Sequence, residues 1–192
     1  MKVKRTIKMK VQRFEVGDRI RFKLYDGEKV EAIAVKQIGD NMLFIHTDCL
    51  KKEYPMYDEY NGDGYGDFED SDLRKHLNGD ILSRFPRKIR EKMVAFADGE
   101  YLRLPTEKEI FGENEYGEEE GADVEQFECM KKRKHRIAFQ GYKTDVWEWY
   151  WLANRHKSSA SNFALVRYDG YSSSYNASFS YGVRPIFLLR NL

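Results

Sequence analysis

Oxygen-bearing side chains with a spacing similar to that of a calcium-binding loop occur between residues 59 and 70. The candidate ligands are Glu59, Asn61, Asp63, Asp67 and Asp70, with Gly64 at the sixth position of the loop. A calcium loop usually begins with Asp and ends with Glu, and this stretch reverses that order. No incoming helix is predicted before it. We therefore favour an acidic, glycine-rich surface loop, with calcium binding as the alternative.

A second stretch, residues 154–180, is rich in Tyr, Ser, Asn and Gly. Tyr supplies a large and fairly rigid contact area, and small polar residues supply adaptable hydrogen bonds, a mixture typical of binding surfaces. We predict that the rest of the chain is a scaffold that displays this stretch to a ligand. The predicted contact residues are Asn154, His156, Ser158, Ser159, Asn162, Tyr168, Asp169, Tyr171, Ser173, Tyr175, Asn176 and Ser178.

The sequence contains no recognisable catalytic motif. The histidines, His46, His76, His135 and His156, lack metal-ligand spacing, and no GxSxG nucleophile motif is present. The glycines of a phosphate-binding loop are missing before Lys157. Carboxylates are plentiful, but none is singled out by an apolar setting that would raise its pKa. We therefore predict that the protein is not an enzyme and holds no cofactor.

Two features of the last third have both a structural and a functional interpretation. Arg184 lies in an apolar closing segment, and we expect it to be buried against a carboxylate or backbone carbonyls, since an unpaired buried charge is costly. Trp147, Trp149 and Trp151 share one face of a predicted strand. A sugar-stacking platform is one role for them, but we expect at least two to lie in the core.

Length and composition indicate a single domain, since the chain has 192 residues and a formal net charge of +1. Charged residues are spread along the chain, which excludes the basic stripe that general nucleic-acid binding needs. No secretion signal and no bilayer-spanning stretch is found, so we expect cytoplasmic synthesis without membrane insertion. If the protein acts outside the cell, we expect it to leave as part of a phage particle. Cys49 and Cys129 are predicted to be free thiols, with a single disulfide as the alternative.

Hydrophobic alternation predicts an antiparallel meander over residues 14–46. The predicted strands cover residues 3–14, 19–25, 30–38 and 42–45. Asp26-Gly27 and Gly39-Asp40 are the predicted turns.

Short helices are predicted in the middle of the chain. The first begins near Ser71, buries Leu73 and Leu77, and ends at Asn78-Gly79. The second follows Pro105, because Thr106 and Glu109 fit a capping box. The third covers residues 124–132, with Phe127 and Met130 facing inward.

Strands return in the last third. They are predicted over residues 147–152, 163–167, 175–181 and 183–189. In the third of these, Tyr175, Ala177, Phe179 and Tyr181 alternate with small polar residues, so one face packs and the other stays polar. The last is apolar, and we expect it to insert into a sheet.

Two groups of residues resemble a known family. The first is a helical motif formed by Phe68, Ser71, Leu73, Arg74, Leu77 and Asn78, and the second is the C-terminal order WYWLAN, FALV and GVRP. Together, over residues 14–190, they resemble a C-type-lectin-like domain family of bacteria and their phages. That family is related to the variable proteins of diversity-generating retroelements and, more remotely, to formylglycine-generating enzymes.

The resemblance implies an α+β class and a C-type-lectin-like fold, with small twisted antiparallel sheets and two or three helices. It implies one domain over residues 1–192, with the strand meander at 14–46 and the ligand-displaying region at 147–190. In the retroelement relatives, adenine-directed mutagenesis converts Asn codons to Tyr, Ser, Asp, Gly or Ala codons in this region. The composition of residues 154–180 fits that process and also fits an ordinary polar loop.

The sequence departs from the relatives in two respects. The Glu-Pro-Asn, Gln-Pro-Asp and Trp-Asn-Asp signatures of calcium-dependent sugar binding are missing. Formylglycine-generating enzymes use a reactive cysteine pair in the C-terminal half, where this chain has Cys129 alone. Neither calcium-dependent sugar binding nor that oxidase chemistry is therefore expected.

The resulting hypothesis is a non-enzymatic recognition module, encoded by a bacterium, phage or prophage, that binds a protein or a surface glycan. One alternative is a phage structural or assembly component whose aromatic tail is an oligomer interface. Another is a hydrolase of glycan or cell-wall material, which would need a concave pocket with at least two convergent titratable side chains. The sequence leaves the oligomeric state open.

Overall fold

The architecture combines antiparallel sheets with a few short helices. The computed structural model describes residues 13–59 and 63–191. The strands are β1 Arg19–Lys23, β2 Lys29–Ile38, β3 Asn41–His46, β4 Met93–Val94, β5 Ala138–Phe139, β6 Trp147–Glu148, β7 Tyr150–Arg155, β8 Asn162–Val166, β9 Ser172–Asn176 and β10 Ile186–Arg190. The α-helices are α1 Asp72–His76, α2 Leu82–Arg84, α3 Arg87–Arg90 and α4 Glu107–Phe111. This arrangement confirms the predicted α+β class.

The largest sheet has five strands in the order β1-β2-β3-β10-β4, and all of its pairs are antiparallel. Within residues 19–46 the predicted meander is confirmed, whereas most of the predicted strand at 3–14 lies outside the described residues. Strand β10 lies between β3 and β4, with Phe187 opposite Phe44. The prediction that the closing segment inserts into a sheet is therefore confirmed.

Alternating side chains of β10 supply two hydrophobic clusters. Phe187 and Leu189 join one cluster, and Ile186 and Leu188 join the other. The second sheet, β7-β8-β9, does the same, since Phe163 and Leu165 of β8 belong to the first cluster while Ala164 and Val166 belong to the second. Both strands are thus apolar on both faces because both faces are covered.

The helix that begins at Ser71 runs further than the sequence predicted. The Ser71 side chain accepts a hydrogen bond from the Arg74 backbone N–H at 3.1 Å, which confirms the predicted start. The predicted end at Asn78-Gly79 is wrong, because a π-helical turn over Leu77–Ile81 carries the chain into α2. Asn78 uses its side chain elsewhere: its amide binds the backbone of Leu102 at 2.9 Å, both as donor and as acceptor.

Of the other two predicted helices, one is present and the other is much shorter than predicted. The capping box of Thr106 and Glu109 is present at the start of α4 and confirms that helix. The predicted helix at 124–132 is reduced to a 3-10 turn, Glu128–Lys131. Phe127 and Met130 are nevertheless buried as expected.

The predicted strand at 175–181 is displaced along the chain. Strand β9 begins at Ser172 and ends at Asn176. The Asn176 side-chain oxygen then accepts hydrogen bonds from the backbone N–H and the hydroxyl of Ser178, at 3.0 and 2.8 Å. This local turn ends the strand, as Asn commonly does.

Of the three tryptophans, Trp151 is fully buried, Trp149 is half-buried against the core and Trp147 is exposed. Within the described residues, no helix is long and apolar enough to cross a membrane.

Candidate functional site

Aromatic side chains from the last third of the chain line an open cleft of about 520 Å³. We call it the aromatic cleft, and its lining residues are Arg133, Ile137, Trp147, Trp149, Tyr168 and Asp169. The ring of Trp149 stacks on that of Tyr181, with centroids 5.7 Å apart, and packs against that of Tyr168 at 6.2 Å. The cleft therefore offers large apolar faces in a concave setting.

A row of further rings extends the cleft along the surface. Tyr181 meets the edge of Tyr175 at 5.5 Å, and Tyr175 meets Phe179 at 4.9 Å. We call the aromatic cleft together with Tyr171, Tyr175, Phe179 and Tyr181 the aromatic ridge. Six of the ten exposed large hydrophobic side chains in the described part of the chain lie between residues 146 and 179. Such a concentration of exposed apolar area marks an interaction site.

The short pairing of β5 with β6 turns Trp147 outward. Phe139 lies opposite Trp147, and their rings are 5.3 Å apart. Successive side chains of an extended chain point to opposite faces. Trp147, which is 55% exposed, therefore faces solvent, whereas Glu148 is only 7% exposed.

Charged groups border the aromatic rings of the cleft. Arg167 forms an ion pair with Asp169 at 3.2 Å, and its guanidinium lies 5.9 Å from the centre of the Trp149 ring and 5.8 Å from that of Tyr168. Cation–π contacts of this kind hold the rings and the charges in fixed relative positions.

The turn between β8 and β9 is held against the segment that contains Arg133. Arg133 donates a hydrogen bond to the backbone oxygen of Asp169 at 2.8 Å, and its guanidinium lies 5.2 Å from the Tyr171 ring. Gly170 has a φ of 81°, and a Cβ there would lie 2.9 Å from the Arg133 backbone oxygen. Glycine is therefore required for this close approach.

The contact residues predicted from the sequence separate into two groups. The group at the aromatic ridge or beside it on β9 is Tyr168, Asp169, Tyr171, Ser173 and Tyr175. The group away from the ridge, in the connection between β7 and β8 and around the end of β9, is His156, Ser158, Ser159, Asn162, Asn176 and Ser178. In the second group, His156 accepts a hydrogen bond from the Ser158 backbone at 3.0 Å and packs against the Tyr116 ring at 6.0 Å.

Asn154 was predicted to contact a ligand, but the structure places it elsewhere. Its surface is 9% exposed. Its side-chain oxygen accepts from the Glu107 backbone N–H at 2.6 Å, and its nitrogen donates to the Glu120 carboxylate at 2.9 Å. Asn154 therefore supports the start of α4, because its hydrogen-bonding groups are already engaged.

The candidate calcium loop is described except for Asn61, which lies outside the described residues. The Asp67 carboxylate is 3.6 Å from the Arg155 guanidinium. Glu59, Asp63, Asp67 and Asp70 are exposed. No group of three or more His, Cys, Asp or Glu side chains that could hold a metal ion is found among residues 13–59 and 63–191.

A titratable pair beside the cleft was missed in the sequence. The Glu148 carboxyl is hydrogen-bonded to that of Glu53, to which Gln140 also donates at 3.1 Å. Burial of Glu148 and the nearby charge of Glu53 raise the pKa of Glu148 to about 7. The expectation that no carboxylate has an apolar setting is thus wrong. The available signal was the position of Glu148 between Trp147 and Trp149.

Residues 100–191 are similar to a family described as Domain of unknown function (DUF6273). The match covers just under half of the chain and includes the whole aromatic ridge. Comparisons with curated proteins and with solved structures gave no match. The family description names no activity, so function has to be argued from the site.

Proposed function

We propose that this protein is a non-enzymatic recognition module, of bacterial, phage or prophage origin, that binds a protein or a surface glycan through the aromatic ridge. The observation that carries the proposal is the exposed row of rings that begins at Trp147 and ends at Phe179. Exposed apolar area of this extent on one part of the surface is favoured when a partner covers it.

The polar groups of the cleft indicate what a ligand would need. A few fixed polar groups among apolar walls orient a ligand and give specificity. Asp169 and Arg133 supply an acceptor and a donor beside Trp147. A sugar ring, with one apolar face and several hydroxyl groups, suits this combination. A protein partner would instead use the Trp and Tyr side chains as anchors, since these residues dominate interface energetics.

The proposal includes the C-type-lectin-like fold and the relation to retroelement variable proteins. Its support is the position of the ridge, which is built largely from residues that follow Trp151, the region where the resembling family displays its ligand contacts. A near-repeat of the coding region that differs at adenines, close to a reverse transcriptase gene, is the observation that would establish diversification.

The hydrolase alternative has one observation in its favour, the carboxyl pair of Glu53 and Glu148. Glu148 is only 7% exposed, so its carboxyl is not presented to a substrate as the two carboxyls that flank the scissile bond in a glycosidase are. Asp169 contributes the carboxylate that lines the cleft, and neither member of the pair does so. Recognition without catalysis therefore fits the geometry better.

Trp147→Ala and Tyr168→Ala are each expected to weaken ligand binding by about tenfold or more, because each removes an aromatic contact surface. Both side chains are exposed, so melting temperatures should stay within about 3 °C of wild type. The measurement is binding of the labelled full chain to a glycan array and to bacterial cells. Tyr101→Ala, which removes an exposed ring outside the ridge, is the matched control.

Unchanged binding of both ridge variants to a ligand that wild type recognises would contradict the proposal.

Light scattering tests the alternative that the protein is a phage structural or assembly component. This alternative expects a particle mass that rises with concentration in light scattering and that Trp147→Ala lowers to the monomer mass.

A further inference from the structure

Arg184 is a buried cation whose hydrogen-bond partners in the described part of the chain are all uncharged. It is 2% exposed. Its guanidinium donates to the His46 backbone oxygen at 2.6 Å, to the Tyr150 hydroxyl at 3.0 Å and to the His135 backbone oxygen at 3.4 Å. These acceptors are uncharged, which confirms the expected carbonyl contacts. In the described part of the chain Arg184 makes no ion pair with a carboxylate, and an uncompensated buried charge is costly.

The guanidinium lines a small cavity of about 170 Å³. Three further basic side chains line the same cavity: Arg19, Lys134 and His135. The Thr47 hydroxyl and the Cys129 thiol also border it, and no carboxylate is among its lining residues in the described ranges. The cavity thus brings Arg184 and Lys134, which make no ion pair within the described residues, next to Arg19, whose charge is shared with Glu31.

Two acidic groups, Glu31 and Asp48, contact residues that line the cavity, and both have other partners. Glu31 pairs with Arg19 at 2.5 Å and also with Arg21, so its charge is already shared. Burial raises the pKa of the Asp48 carboxyl, although Arg184 acts in the opposite direction. Burial also raises the pKa of the Cys129 thiol, so that side chain stays uncharged.

We infer that this cavity is a binding site for a small oxyanion, a phosphate or sulfate group, held by Arg184, Arg19 and Lys134. Four of the five N–H donors of Arg184 already bind His46, Tyr150 and His135, which leaves one Nη2 N–H for an anion oxygen, and Arg19 and Lys134 supply the other donors. A volume of about 170 Å³ is many times what one water molecule needs, so the cavity has room for one phosphate or sulfate group. The site is distinct from the aromatic cleft and does not depend on the proposed recognition function.

Titration of the full chain with inorganic phosphate, followed by calorimetry at constant ionic strength, tests the inference. We expect one saturable site and a melting temperature that rises with phosphate concentration more than with chloride. Lys134→Gln should weaken phosphate binding by about tenfold, since it removes a charged donor on an exposed side chain. Lys132→Gln, which removes the same charge from an exposed neighbour outside the cavity, should leave the affinity unchanged.

Two results would overturn the site: no saturable binding of phosphate or sulfate, or equal weakening by both lysine variants, which would indicate general charge attraction. A phosphomonoester such as glucose 6-phosphate tests whether the bound group is a free anion or part of a larger ligand. Tighter binding than inorganic phosphate would show that the group belongs to a larger ligand, and equal or weaker binding would show that the free anion is bound; either result supports the site.

Discussion

Gly182→Ala is expected to lower the free energy of unfolding by about 3 kcal/mol, because an added methyl group has no room there. A Cβ at this position would lie 2.5 Å from Cγ of Glu148, 2.7 Å from Sγ of Cys49 and 2.8 Å from the backbone oxygen of Trp149. The Gly182 backbone also bonds to Trp149 and Trp151, at 2.8 and 3.1 Å, so the chain is fixed between these neighbours. Urea unfolding of wild type and variant is the measurement.

Gly79→Ala is the matched control for this substitution. Gly79 lies in the π-helical turn, and a Cβ there meets no atom within 4 Å. We expect this change to be neutral or to stabilise the protein by up to about 1 kcal/mol. If Gly182→Ala were as stable as Gly79→Ala, the packing described around the GVRP segment would be incorrect.

Glu148→Gln is expected to make the protein more stable than wild type at pH 8 by about 2 kcal/mol, with little difference near pH 4.5. Burial and Glu53 raise the pKa of Glu148 from 4.5 to about 7 in the folded state. A raised pKa means that the folded protein binds the proton more tightly than the unfolded chain does. The stability from this proton is therefore fully present below about pH 4.5 and is lost as the pH rises through about 7.

Urea unfolding of both proteins at pH 4.5, 6 and 8 measures the effect. Glu119→Gln removes a carboxylate from an exposed position and should follow wild type at each pH. A Glu148→Gln variant that parallels wild type across this range would show that the carboxyl pair does not share a proton.

The strand meander was predictable because its strands are rich in apolar residues and its turns carry Asp-Gly or Gly-Asp. Successive residues of β3 supply both hydrophobic clusters, with Met42 and Phe44 in one and Leu43 and Ile45 in the other, so local pattern and tertiary packing agree. The end of the first helix was not predictable from Asn78-Gly79. There the Asn78 side chain binds the backbone of Leu102, 24 residues away, and a contact of that range leaves no local signal.

The candidate site was predicted in part. Tyr168, Asp169, Tyr171 and Tyr175 were named from composition, and they lie at the ridge. Composition could not separate them from His156 and Asn162, because both groups contain similar residue types and Tyr175 of the ridge is the direct neighbour of Asn176 on β9. Arg133 lies in a run of mostly basic residues, 131–136, that carries no local signal for a cleft, and its place there depends on long-range packing against Asp169.

The central position of β10 in the large sheet affects how the chain folds while it is being synthesised. Strands β3 and β4 receive their shared neighbour only after residue 190 has left the ribosome tunnel. Until then the nascent chain carries two unpaired sheet edges and an open apolar seam, which are sites for mispairing. The large sheet is therefore completed only once β10 has been synthesised, and a holding chaperone would act on the β3 and β4 edges until then.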